Sequence, residues 1–129
     1  MTYGGALLMG HVTKSIGDAG ELAVINYLES FGFSLITRNF TVHNIGELDA
    51  VMEKDGTIYV IEVKARLKDT NYASPVESIS KEKIRRIIRT TNVFLSRYHL
   101  ESRNVEFLAG CVEHTRDGVI TSVEIVPFA

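Results

Sequence analysis

Two short segments of the chain place carboxylates and a lysine at spacings that suit metal or phosphate chemistry. Residues 46–54 and 57–64 alternate charged and apolar side chains, and Asp55-Gly56 lies between them. Asp-Gly between two alternating runs is a strong signal for a β-hairpin with a two-residue turn. Since side chains alternate with a period of two, Glu47, Asp49, Glu62 and Lys64 point to the same face of this hairpin. The opposite face is predicted to be apolar, with Leu48, Ala50, Met52, Tyr59, Ile61 and Val63.

The register of the predicted hairpin sets two carboxylates against each other. Counting back from the turn, Asp49 lies opposite Glu62, and Glu47 lies opposite Lys64. Directly opposite Cβ atoms are about 5 Å apart, a distance at which two carboxylates can share one metal ion. Two like charges about 4 Å apart repel by about 4 kcal/mol at an effective dielectric constant near 20, so this pair needs a cation. A metal site and a surface cluster of ion pairs both remain open.

Hydrophobic periodicity predicts the elements that must position this hairpin. Apolar residues at helical spacing indicate one helix from Gly17 to Phe31 and another from about Ser80 to Leu100. The predicted apolar face of the second helix consists of Ile84, Ile87, Ile88, Thr91, Phe94, Leu95 and Tyr98. Since the strands carry apolar residues on both faces, helices should cover both sides of the sheet. The predicted fold class is α/β, with a central mixed sheet flanked by helices. The other predicted segments are strands at 33–42, 105–113 and 119–126, and a polar loop at 66–74.

Glu21 is a further candidate, because it lies on or beside the apolar stripe of the first predicted helix. A carboxylate on an inward face is rarely left unpaired. One interpretation pairs Glu21 with Arg38, which is expected to share a face of the first strand with Ile36 and Phe40. The other directs Glu21 toward the hairpin carboxylates. Both interpretations remain open.

The second predicted helix concentrates positive charge. Five basic residues occur within nine positions, although the whole chain has a formal net charge of −2. This clustering is typical of a surface that contacts phosphates, and the alternative is the solvated face of an amphipathic helix. Arg66, just past the hairpin, would add to the same surface. The five basic residues of this cluster are Lys81, Lys83, Arg85, Arg86 and Arg89.

Length and composition indicate a single globular domain. The chain has 129 residues, of which 45% are hydrophobic and 23% are charged. We expect a flexible N-terminal arm at residues 1–14 and one domain at residues 15–129. The lone cysteine, Cys111, cannot form an internal disulfide, and its use fits a cytoplasmic protein. No apolar run approaches the length needed to span a membrane, so no membrane association is expected.

Several short motifs follow one another along the chain in a fixed order. They are Gly17-x-x-Gly20-Glu21, Arg38-Asn39, Gly46-Glu47-Leu48-Asp49, Glu62-Val63-Lys64-x-Arg66, Pro75-Val76-Glu77, Lys83 and Pro127-Phe128. This ordered set resembles the YraN-like family of predicted bacterial endonucleases, which lies in the PD-(D/E)XK nuclease superfamily and is similar to archaeal Holliday junction resolvases. The resemblance runs from about residue 17 to the end of the chain, and it departs where Asn104-Val105-Glu106 replaces the usual Arg-x-Asp.

The resemblance implies a restriction-endonuclease-like αβββαβ core and metal-dependent endonuclease activity. The implied substrate is branched or structured nucleic acid, DNA rather than RNA. Asp49, Glu62 and the Val63 carbonyl would bind Mg²⁺ or Mn²⁺, and Glu21 would help to position the metal. Lys64 would orient the attacking water or stabilise developing charge.

The basic helix would then position the nucleic-acid backbone. Lys83 and Arg86 lie nearer the edge of its apolar face, so they are expected to lean toward the hairpin. Two other classes of function are not excluded by the residues: a non-catalytic nucleic-acid binding module with a vestigial metal site, and an adaptor whose charged cluster is structural. Assembly as a homodimer is also open.

Overall fold

The computed structural model describes residues 9–69 and 77–129, with side chains from residue 16 onward. Within these residues the helices and strands follow the predicted order, so the α/β class with an αβββαβ core is confirmed. In chain order they are α1 (Met9–Glu29), β1 (Ser34–Val42), β2 (Gly46–Lys54), β3 (Thr57–Leu67), α2 (Lys81–Arg97), β4 (Val105–His114) and β5 (Ile120–Pro127).

The five strands form one mixed sheet in the order β1-β2-β3-β4-β5. β3 and β4 are parallel and are joined through α2, whereas the other neighbouring strands are antiparallel. Helix α1 packs mainly on β3, β4 and β5, and α2 packs on β2 and β1. The helices cover opposite faces, because a sheet that is apolar on both sides must be buried on both sides.

Alternate residues of β3 divide the interior into two cores. Ile58 and Val60 face α2 and pack in the cluster that contains Phe94, which we call the α2-side core. Ile61 faces the other way and packs with Val24 in the α1-side core. All five side chains are at most 1% exposed. The period-two pattern read from the sequence therefore holds along this strand.

The β2–β3 hairpin has the predicted turn and register. Asp55 and Gly56 have φ angles of 50° and 84°, the left-handed conformation that a type I′ turn requires of both central residues. The pairing runs as predicted from this turn to Ala50 opposite Ile61. The ladder ends at that pair, although both strands continue beyond it.

Beyond the end of the ladder, β2 does not keep simple alternation. Leu48 packs in the α2-side core, whereas Ala50 and Met52 pack in the α1-side core. The predicted common apolar face is therefore wrong for Leu48. A strand released from one neighbour can twist, and its side chains then change face.

Strand β1 is irregular beside the same point. Asn39 has a φ of 54°, a left-handed conformation within the strand. The register of β1 also shifts between Leu35 and Thr37, so alternation is interrupted on both sides of Arg38. Arg38 reaches Glu21 of α1, whereas Ile36 and Phe40 pack against the α2-side core. The prediction that Arg38 shares a face with these two apolar residues is wrong, because it assumed regular alternation.

Helix α1 begins at Met9, eight residues before the predicted start at Gly17. Met9 and Val12 already have helical spacing, which the predicted N-terminal arm overlooked. Residues 9–14 are therefore helical, and residues 1–8 of the predicted arm lie outside the described part of the chain.

Strand β3 continues to Leu67, three residues past the predicted end of the hairpin. It pairs in parallel with β4 as far as Leu67 opposite His114, and this pairing extends the strand into the predicted loop at 66–74. The part of that loop at 70–76 lies outside the described residues.

Most of the predicted apolar face of α2 is buried, including Ile87, Thr91, Phe94 and Leu95. The prediction is wrong at its edges, since Ile88 and Tyr98 are 39% and 43% exposed and Thr90, which it left out, is buried. Each buried threonine hydroxyl donates to the carbonyl four residues earlier, at 2.7 Å, so its polar atom is satisfied. In the part of the chain that the structure describes, no helix is both long enough and apolar enough to cross a membrane.

Helix α1 lies very close to the sheet at Gly110 of β4. A Cβ atom at Gly110 would lie only 2.8 Å from both γ carbons of Val24. One helical turn before Val24, a Cβ atom at Gly20 would lie 3.7 Å from a γ carbon of Val112 in β4. These contacts bring the part of α1 that carries Glu21 close to the sheet.

We predict that Gly110→Ala destabilises the protein by about 1–3 kcal/mol, because the added methyl group would overpack against Val24. Gly17→Ala is the matched control. A Cβ at Gly17 meets nothing within 4 Å, so this helical change should stabilise by about 0.5–1 kcal/mol. Urea denaturation measures both changes. Equal stability of Gly110→Ala and wild type would show that α1 can move away from the sheet without cost.

Candidate functional site

Asp49 and Glu62 lie side by side where the β2–β3 ladder ends. Glu62 is only 5% exposed, Asp49 is partly buried, and the negative charge of Glu62 acts on Asp49. Asp49 Oδ2 accepts a hydrogen bond of 2.8 Å from the Val63 N–H. This is a main-chain donor that a continued ladder would have satisfied with a carbonyl. The backbone of β3 therefore holds the Asp49 carboxylate beside Glu62.

Burial and the charge of Glu62 raise the pKa of Asp49 to about 7. Burial is the larger cause, since it withdraws water from the ionised carboxylate, and the second negative charge adds to it. The hydrogen bond from Val63 and the charge of Lys83 lower the pKa without cancelling these causes. Near neutral pH the pair therefore takes up a proton readily, and a bound cation could replace that proton.

Lys83 supplies one positive charge to this pair from α2. Its Nζ lies 3.5 Å from Glu62 Oε2. The Ser80 side chain caps the helix and accepts a hydrogen bond of 3.1 Å from the Lys83 N–H. Because Ser80 fixes the start of the helix, it also fixes the point from which the Lys83 side chain extends.

Glu21 approaches the pair from α1, on the other side of the sheet. Its Oε1 lies 3.0 Å from Arg38 Nη2, as one interpretation of the sequence expected. Burial is the first cause that raises the pKa of Glu21, and the charge of Asp49 also raises it. Glu21 is therefore both paired with Arg38 and electrostatically coupled to the hairpin carboxylates. The two interpretations do not exclude each other.

Lys64 and Glu47 do not form the predicted pair. Glu47 lies opposite Thr41 of β1, and its Oε2 accepts a hydrogen bond of 3.0 Å from the Thr41 hydroxyl. Lys64 is partly buried and has no ion pair within the described residues. The prediction is wrong because it extended the β2–β3 pairing beyond Ala50 and Ile61, where that ladder ends. Beyond this pair β2 remains paired only with β1.

The remaining basic candidates lie on the surface around this site. Arg66 contacts Glu113 of β4, with Nε and Oε2 3.4 Å apart, so part of its charge is already compensated. The Cβ of Arg86 lies near Gly46 of β2, so this part of α2 approaches the hairpin. The remaining basic candidates of α2 are exposed to solvent: Lys81, Arg85, Arg86 and Arg89.

The donor atoms of the site suit a hard divalent cation. The Asp49 and Glu62 carboxylates and the Val63 carbonyl offer the oxygen ligands that Mg²⁺ and Mn²⁺ prefer. Within the described residues, the ion pair that these carboxylates form is the one between Glu62 and Lys83, so a negative charge remains when both are ionised. Across the described residues, no group of three His, Cys, Asp or Glu side chains is arranged to hold a metal. An ion here would need backbone, water or substrate oxygens as well.

Two residues that shape the site escaped the sequence analysis. Ser80 was expected only as the start of a helix, although Ser three residues before Lys83 is a recognisable capping signal. Asn39 carries the left-handed backbone of β1, and asparagine is among the residues that tolerate this conformation. An asparagine within a predicted strand was therefore the signal for an irregular backbone at this position.

Comparisons with known proteins assign the chain to a family. The model described as "Uncharacterised protein family UPF0102" matches residues 20–119. A UPF0102 protein of Persephonella marina is 35% identical over 91 residues, which are 70% of this chain and 77% of the relative. One of Dictyoglomus turgidum is 30% identical over 116 residues, covering 90% and 97%. One of Symbiobacterium thermophilum is 31% identical over 107 residues, covering 83% and 89%.

The fold and the site define an α/β protein with a restriction-endonuclease-like core and a buried pair of carboxylates beside a basic helix. The chain belongs to the UPF0102 family, since the family model covers 100 of its 129 residues, from 20 to 119. The resemblance to YraN-like proteins is confirmed at the level of this family.

We predict that Asp49→Asn stabilises the metal-free protein at pH 8.5 by about 2–4 kcal/mol and has little effect at pH 4.5. The folded pKa of about 7 lies above the ordinary value of 3.8. The stability that protonated Asp49 contributes is fully present below the ordinary pKa and is lost as pH rises through 7. Asparagine mimics the protonated acid, so it should remove this loss.

Urea denaturation in the presence of a chelator measures this effect. Glu53→Gln is the control, because it removes an exposed carboxylate from the same strand. It should give no comparable gain at pH 8.5. A gain for Asp49→Asn that is the same at both pH values would contradict the assignment.

Proposed function

We propose that this protein is a metal-dependent endonuclease that hydrolyses phosphodiester bonds in nucleic acid, with branched or structured DNA as its substrate. The observation that carries the proposal is the pair formed by Asp49 and Glu62. Two adjacent carboxylates are held by the backbone beside the first turn of a basic helix. The choice of branched DNA is supported by the resemblance to resolvases.

The residues of the site have distinct roles in this proposal. Asp49, Glu62 and the Val63 carbonyl would hold Mg²⁺ or Mn²⁺, with Glu21 as a further oxygen donor nearby. When bound, such an ion lowers the pKa of water and neutralises charge on the phosphate. Lys64 follows Glu62 by two residues on β3, so it lies on the same face and can orient a water or stabilise developing negative charge.

The exposed cations of α2 would bind the phosphate backbone. Arg85 and Arg89 are four residues apart and therefore neighbours on the helix surface. Contacts of this type carry no sequence information, and they fix the position of the backbone relative to the reacting groups. The formal net charge of −2 means that this binding depends on the local surface.

A non-catalytic nucleic-acid binding module is the second candidate. Two observations favour it. No three-residue metal site occurs among the described residues, and Lys83 forms an ion pair with Glu62. In that case the carboxylates would be a structural remnant, and the basic helix would carry the function.

We predict Mg²⁺- or Mn²⁺-dependent cleavage of branched DNA that falls at least about 100-fold in Glu62→Gln and in Lys64→Met, since removing a single charge-stabilising group costs this much in other sites. Glu53→Gln is the matched control, because Glu53 pairs with Arg103 away from the site. The measurement is gel analysis of labelled junction, flap, duplex and single-stranded DNA. If the wild type binds these DNA substrates but cleaves none of them, the result would favour the binding module.

We also predict that Arg85→Ala combined with Arg89→Ala weakens duplex binding and lowers the slope of log affinity against log salt by about two, one for each lost phosphate contact. Both side chains are exposed, so the melting temperature should change little. Arg103→Ala, which removes a cation paired with Glu53, is the control. An unchanged slope would identify this face of α2 as solvated surface only.

A further inference from the structure

Lys83 occupies a position in α2 that the helix alone does not favour. It is the third residue of the helix, where unpaired N–H groups and the macrodipole favour an acidic side chain. Ser80 supplies the first half of a capping pair, and the second half would be Glu or Gln at this position. The side chain that is present extends instead to Glu62 of the sheet.

The contact between Lys83 and Glu62 involves a carboxylate that needs a partner. The Glu62 side chain is 6% exposed, and a buried charge without a counter-ion is strongly unfavourable. Lys83 lies 3.5 Å from Glu62 Oε2, in the carboxylate that a divalent ion in the proposed site would also use. An ammonium and a metal ion would therefore compete for the same carboxylate.

The Lys83 side chain can leave Glu62 without a change in the fold. It is 39% exposed, so one side of it already faces solvent. Its N–H remains bound to Ser80, and the lysine stem has four flexible carbon–carbon bonds. The exposed neighbours Lys81 and Arg86 lie on the same helix, where a phosphate backbone would lie in the proposed function.

We propose that Lys83 is an exchangeable counter-ion, which neutralises Glu62 in the metal-free protein and contacts a nucleic-acid phosphate once a metal ion binds Glu62. This inference rests on the proposed function and deepens it. Its consequence is that metal binding and nucleic-acid binding reinforce each other. Because the coupling is thermodynamic, each ligand must raise the affinity for the other by the same factor.

Calorimetric titration with Mn²⁺ alone, on the full chain, tests the competition. Lys83→Met should bind Mn²⁺ about tenfold more tightly than the wild type, because the competing ammonium is absent. Lys81→Met removes an equal charge from the same helical turn, and Lys81 has no ion pair within the described residues. This control should change the Mn²⁺ affinity by less than about threefold, because solvent screens the more distant charge.

Fluorescence anisotropy with labelled branched DNA tests the coupling. Ca²⁺, which also prefers oxygen ligands, is compared with a chelator. Ca²⁺ should tighten DNA binding by the wild type, and Lys83→Met should lose most of that gain. Lys81→Met should weaken binding by a similar factor in both buffers and keep the gain. Lys83→Arg, which retains the charge and so protects the fold, should restore the coupling.

The possible outcomes separate this inference from the proposed function. Equal Mn²⁺ affinity of Lys83→Met and the wild type, with binding by both, would overturn the role of Lys83 and leave the metal site intact. Binding of Mn²⁺ by neither protein would contradict the metal site itself, and the inference with it. The inference would also be overturned if Ca²⁺ increased the DNA affinity of Lys83→Met by the same factor as that of the wild type.

Discussion

The repulsion between two adjacent carboxylates, Asp49 and Glu62, is the constraint on which the rest of the site depends. Both groups are largely removed from water, and the charge of Glu62 raises the pKa of Asp49. Helix α2 contributes one positive charge, that of Lys83, which lies beside Glu62. Helix α1 contributes a further carboxylate, Glu21, which forms an ion pair with Arg38 of β1. The charge balance of the site therefore depends on residues from both helices and from β1.

Such balance requires helices that approach the sheet closely, and small residues allow it on both sides. At Gly110 the α1 helix leaves no room for a side chain beneath Val24. At Gly46, the first residue of β2, a Cβ atom would lie 2.6 Å from Thr90 Oγ1 of α2. The Thr90 hydroxyl is turned to the Arg86 carbonyl, which keeps this close contact free of an unsatisfied polar atom. The close packing of both helices thus sets the distance between their charged side chains and the carboxylates of the sheet.

The sequence predicts local features of this fold well and tertiary choices poorly. The Asp55-Gly56 turn specifies its own register, and that register holds as far as Ala50 opposite Ile61. Past this pair the prediction fails, since Glu47 contacts Thr41 where Lys64 was expected. Periodicity cannot show where a strand leaves one neighbour and stays with another, because that choice depends on packing against both helices. Packing in the same way decides that Ile88 and Tyr98 are exposed and Thr90 is buried. The contact of Lys83 with Glu62, by contrast, agrees with the expectation that Lys83 leans toward the hairpin.

The end of the β2–β3 ladder and the location of the carboxylates are one structural feature. Where β2 no longer offers a carbonyl to Val63, the Asp49 side chain accepts the hydrogen bond from its N–H. A surface carboxylate would rotate away from Glu62 to relieve repulsion, but rotation here would leave a main-chain donor unsatisfied, which costs about 1–3 kcal/mol when it is buried. The backbone therefore maintains a local concentration of negative charge that side-chain motion cannot disperse. Only a proton, an ammonium or a metal ion can relieve it, which makes the site responsive to whichever of these is supplied.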